Sequence, residues 1–201
     1  MKKLLLAVIL TFLVVAVSFG ADFKLSAGGG VQFQGTYDMG WKWYPESIMA
    51  NLDNNQFGVF LFFDATYVEL DCLFNYGAFT WTGELDDKKY SGNEFTMELS
   101  LLGKYPFYLE KFTLFPLLGI SCKIAYMGGE SEFYYGDVLE VMDTGGLGFL
   151  AGIGADFPLT ERLYLRGEVL YCIKLQYYAQ DQHETRPGHG PTIKLGIGYS
   201  F

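Results

Sequence analysis

Beyond residue 21 the chain has no apolar run that could cross a bilayer as a helix, which takes about 20 residues, although half of its 201 residues are hydrophobic. Positive charge is scarce: 14 Lys and Arg stand against 23 Asp and Glu, for a formal net charge of −9. That balance excludes nucleic acid as a partner, because phosphate contacts need clustered Lys and Arg. Cysteine is also sparse. Cys72, Cys122 and Cys172 show no CxxC or metal-ligand spacing, and an odd number cannot complete a disulfide framework, so they read as small apolar fillers. There is no haem-attachment CxxCH or zinc cluster, and the glycines at 28–30 lie in a strand-like stretch with no helix behind them. Neither cofactor nor metal is expected. The only histidines, His183 and His189, share the segment "DQHETRPGH" with Asp181, Glu184 and Thr185. A triad can be drawn there on paper, but no oxyanion motif accompanies it, and the expectation is a non-enzyme.

What is present starts with an export signal. Lys2 and Lys3 precede an uncharged apolar run from Leu4 to Val17, followed by small residues Ser18 and Gly20. These flanks predict a cleaved signal peptide over 1–20 and a mature domain over 21–201, against the competing reading of a single membrane anchor. Removing Lys2 and Lys3 takes the net charge from −9 to −11. The 25 glycines argue against a helical bundle, since each costs about 1 kcal/mol in a helix interior.

The mature chain alternates with a period of two almost throughout. Phe23, Leu25, Ala27, Val31, Phe33 and Tyr37 oppose Lys24, Ser26, Gln32, Gln34 and Thr36 in the first predicted strand. Seven more follow, near 56–64, 68–76, 95–101, 116–126, 146–156, 163–176 and 191–201. The second is apolar on both faces through Phe60 and Phe62, so its phase stays open. Polar connections are long after odd-numbered strands and short after even-numbered ones: 39–54, 83–93, 128–144 and "AQDQHETRPGHG" are the long set. The pattern predicts an all-β fold, an antiparallel up-and-down eight-stranded transmembrane β-barrel with its long loops at one end.

A soluble barrel would turn the apolar face inward. Eight strands enclose a narrow interior, and four to six apolar residues per strand, many of them Phe, Tyr, Leu or Ile, do not fit there. Exposing Arg166 or Lys174 to lipid would cost roughly 2–4 kcal/mol each near the midplane. The apolar faces therefore go outward. Aromatics gather near strand ends, at Tyr37, Trp41, Trp43 and Tyr44, at Phe79 and Trp81, at Tyr105, Phe107 and Tyr108, and at Tyr177 and Tyr178, as two interfacial rims.

The alternating terminal stretch "IKLGIGYSF", with Tyr199 two residues before Phe201, resembles the C-terminal signal of bacterial outer-membrane proteins. With the export peptide and the eight strands, the mature chain resembles the small eight-stranded outer-membrane barrels of the OmpX/OmpA/OmpW type. The resemblance implies location in the cell outer membrane, recognition of Tyr199 and Phe201 by the barrel-assembly machinery, and outer-membrane lipid as the surrounding partner.

The inward set is expected to include Glu69, Asp71, Glu98, Lys123, Arg166, Glu168, Lys174 and Lys194, paired across strands in a polar lumen that is plugged. Gly28 and Gly30 should face Gly196 and Gly198, leaving gaps that take long side chains or, on the alternative reading, a narrow conduit. Loop residues Glu130, Glu132, Asp137, Glu140 and Asp143 form an acidic surface without EF-hand spacing, read first as plainly solvated and otherwise as suited to a basic partner or to divalent cations that bridge to anionic surface lipid. The function expected is structural or cell-surface interaction, by a monomer whose extracellular partner the sequence does not identify; passive movement of small molecules is the alternative.

Overall fold

The computed structural model describes residues 24–38, 49–83, 89–129, 142–180 and 182–201. Nine β-elements occur among them: β1 Leu25–Asp38, β2 Met49–Ala65, β3 Val68–Gly83, β4 Lys89–Lys104, β5 Phe107–Tyr108, β6 Thr113–Gly129, β7 Met142–Pro158, β8 Leu163–Gln180 and β9 Gln182–Ser200. β5 is a two-residue ribbon paired with the start of β6. The other eight pair antiparallel in the order β4-β3-β2-β1-β9-β8-β7-β6, and β4 pairs with β6 to close the ring. Closure removes every free edge along the spanning length, the condition for a sheet in hydrocarbon.

The strands are longer than predicted. A tilted transmembrane strand needs about 9–11 residues; these run from 14 to 19. The predicted loop "AQDQHETRPGHG" is mostly paired backbone, with β8 and β9 in register as far as Gln180 and Gln182. Residues 49–54 belong to β2, 89–93 to β4, 128–129 to β6 and 142–144 to β7. Polar side chains on both faces marked these stretches as loops. Above a bilayer both faces meet water, so polarity says nothing against pairing there.

Strand phase follows the alternation. Phe57, Leu118 and Leu195 are 69%, 70% and 62% exposed, whereas Glu69 and Asp71 are 0% and Arg166 1% exposed. The open phase of β2 resolves with Phe57, Val59, Leu61 and Phe63 outward and with Phe60 and Phe62 buried inside. Phe79, expected in an aromatic rim, is also buried on the inner face. The tight β2–β3 turn holds Thr66 in the left-handed region at φ 54°, unusual for a β-branched residue. Its hydroxyl accepts from the Lys24 amide at 2.9 Å, tying the turn to the start of β1.

Candidate functional site

The functional candidate is the lumen, where parity brings one polar row from each strand together. At the end carrying the short turns, Arg166 of β8 is the hub. Its guanidinium donates to both carboxylate oxygens of Asp156 at 2.7 Å, to Glu69 at 2.5 Å and to Asp64 at 2.6 Å. Lys104 joins from β4, bonding Asp64 and lying 3.5 Å from Glu69. Three rings surround the hub: Phe62 at 4.4 Å from the guanidinium carbon, and Phe115 and Tyr164 at 5.2 Å each. Cation–π attraction is stronger where water is excluded, so these rings hold the charge and fill the space at once.

The rings fit because glycines lie beneath them. A Cβ at Gly154 would collide with the Phe115 ring, and one at Gly196 would lie 2.9 Å from Phe60. Gly28 faces Gly198 and Gly30 faces Gly196 across the β1–β9 pairing, as expected. The gaps are taken chiefly by aromatic rings, with the arginine between them.

Farther along the barrel, Lys194 bonds Asp71 and, at 3.1 Å, Glu168, with Phe60 beside it. Nearer the loop end, Glu98 accepts from Lys174 at 2.7 Å and from Gln34 at 3.3 Å. Asn75 links Gln34 to Gln32. Glu94 receives Lys123 at 2.7 Å, Gln56 at 2.8 Å and Asn54. An apolar cluster of Leu102, Phe115, Leu117, Leu150, Leu170 and Cys172 fills the lumen beside these charges. At the turn end a cavity of about 190 Å³ opens below Asp64 and Lys104, walled by Tyr164, Phe115, Asp156 and Ser26.

All eight residues expected inside are buried there: Glu69, Asp71, Glu98, Lys123, Arg166, Glu168, Lys174 and Lys194. Asp64, Glu94 and Lys104, absent from the set expected from sequence, also take part in the ion pairs. Parity could have found them, since Glu94 shares the face of Glu98, and Lys104 follows Ser100 and Leu102 on one row. Glu130, Glu132, Asp137 and Glu140 lie outside the described residues, as does the expected leader over 1–20. Asp143, assigned to the acidic loop, is backbone of β7 opposite Tyr126 of β6, a correction forced by the continued pairing. His183 is likewise in β9, not in a loop. His189 bonds the Tyr171 hydroxyl through Nδ1 at 2.5 Å on the exposed face. Tyr199 accepts from Arg162 at 2.9 Å, and the Phe201 amide donates to the Leu25 carbonyl at 2.9 Å.

No protein family and no curated protein matches the chain. Among solved structures, it is similar to Neisserial surface protein A at 10% identity, with 90% of this chain and 98% of that one covered and a TM-score of 0.46. A major outer membrane protein from Thermus thermophilus aligns at 16% identity over 90% and 100% of the two chains, TM-score 0.44. Ail, the attachment invasion locus protein of Yersinia pestis, aligns at 16% over 89% and 97%, TM-score 0.37. At those scores the assignment rests on the chain's own register and exposure. A closed ring of eight strands that shows hydrocarbon to its surroundings and keeps charge to itself is an outer-membrane β-barrel, and that is the fold and the location of this chain.

Proposed function

We propose that this barrel serves a structural or cell-surface interaction role, with a lumen plugged by its own side chains. The observation that carries the reading is the arrangement around Arg166, whose partners on β2, β3 and β7 tie β8 to its neighbour and to the opposite side of the barrel. Passage of a solute would require breaking buried ion pairs, at about 3–5 kcal/mol for each partner left alone. Single-channel recording in planar bilayers tests the plug: purified barrel should give no conductance steps, and steady ohmic steps would overturn it.

The second reading, a narrow passage or small-molecule site, is favoured by the cavity at the turn end. Solute uptake into barrel-containing liposomes separates the two. The role at the surface falls to the long connections, including the acidic Glu130, Glu132, Asp137 and Glu140, with Asp143 at the start of β7. Exchanging residues 130–141 for a neutral sequence should abolish binding to cells or matrix proteins while leaving the barrel folded. The barrel acts as a monomer, is exported by a leader over 1–20, and presents Tyr199 and Phe201 to the assembly machinery.

A further inference from the structure

Among the described residues, ion pairing in the lumen does not close. Between the turn end and mid-barrel, four buried carboxylates, Asp64, Glu69, Asp71 and Glu168, face three cations, Lys104, Arg166 and Lys194. Asp156 adds a fifth carboxylate at the rim, already shared with Arg166. At the loop end, Glu94 and Glu98 are matched one to one by Lys123 and Lys174. The surplus is therefore local, and an uncompensated charge buried at this depth is costly.

The shortfall has a place. Glu69 and Asp71 point inward from β3 and Glu168 from β8, and one oxygen from each lies within 4.8 Å of the others. Three further observations bear on it. Oε1 of Glu69, Oδ1 of Asp71 and Oε1 of Glu168 have no hydrogen-bond partner, the last having only the Arg166 Nε at 3.8 Å. Ser100, outside the acidic group, stands directly across the β3–β4 ladder from Asp71; its hydroxyl is also unpartnered and the residue is 1% exposed. Lys194 already occupies the other oxygens of Asp71 and Glu168, so the surplus oxygens are not its own.

We propose that Glu69, Asp71 and Glu168, with Ser100 beside them, hold one divalent cation of calcium size inside the barrel. Oxygens 4.8 Å apart at most have a common centre about 2.8 Å or less from each, which admits calcium–oxygen bonds of about 2.3–2.6 Å, and calcium accepts such oxygen sets in flexible geometry where magnesium demands a near-ideal octahedron. Two positive charges offset the buried surplus and the rim carboxylate together. The ion is held, not transported, and the proposal stands whether or not the lumen conducts.

The test uses the whole mature barrel, unfolded in chelator and refolded in detergent with or without calcium, then dialysed free of ion. Elemental analysis should find about one calcium per wild-type chain. The temperature at which the folded band converts on SDS gels should be higher for protein refolded with calcium. Glu168→Gln and Asp71→Asn, each checked for folding by the same band shift, should lose both the ion and the response; the exposed Glu110→Gln should keep them. Should a variant not fold, wild type alone decides by its ion content and its response. A wild type without calcium, or variants that retain as much as wild type, would mean a proton meets the surplus or the ion is adventitious, and either result overturns the proposal.

Discussion

Arg166 on β8 meets Glu69 on β3 at 2.5 Å although their strands stand four places apart in a ring of eight, the full width of the barrel. Replacing Arg166 with Met leaves Asp156 without its cation and Asp64 and Glu69 with Lys104 alone between them. The loss should be about 3–5 kcal/mol, read as a lower urea midpoint of the detergent-folded barrel. Adding Glu69→Gln to that variant should recover part of the loss, since one orphaned charge disappears.

Gly154 should not tolerate alanine. All three nearest atoms to a new Cβ belong to the Phe115 ring, so Gly154→Ala forces the ring off its seat at about 1–3 kcal/mol. Phe115→Leu in the same chain should reverse most of that cost in thermal unfolding, whereas a purely backbone penalty would persist.

Leu195 and Lys194 are neighbours with opposite surroundings, 62% and 1% exposed. Leu195→Arg should destabilise the barrel in phospholipid bilayers by about 2–4 kcal/mol if it lies near the midplane. The same substitution should cost less in short-chain detergent, where the belt is thinner. Equal costs in both media would contradict a lipid-facing Leu195.

Deleting Phe201 should separate assembly from stability. Its ring is 76% exposed and meets only Tyr199 among the described ring contacts, at 5.5 Å. Its amide makes one bond, to Leu25, worth about 1 kcal/mol. On the proposed assembly-signal role, insertion in cells should fall several-fold while protein refolded in detergent loses little. Matched insertion with wild type would remove the role and leave the barrel.

Strand number, direction and inward parity were legible because apolar and polar residues alternate wherever one face meets lipid and the other does not. That is why Glu69, Asp71 and Arg166 could be placed inside from sequence alone. Strand ends were not legible, since polar segments such as 182–190 pair as readily in water as they would loop. Partners were not legible either. Lys123 is directly opposite Glu98 in the β4–β6 ladder, yet it bonds Glu94, while Glu98 takes Lys174 from β8. Reach and lumen curvature decide such choices, and neither is written in the order of residues. The inward rings carried a signal that alternation alone misreads: Phe60 and Phe62 break the pattern of β2, and their seats are glycines on β1 and β9.

The seating of Phe115 on Gly154 also bears on how this sequence can drift. Ring and glycine share one fixed volume across two strands, so neither position is free to change size alone. A larger residue at 154 is admissible only with a smaller one at 115. In related chains those positions should therefore vary as a pair of conserved total volume, even where the residues themselves have nothing in common.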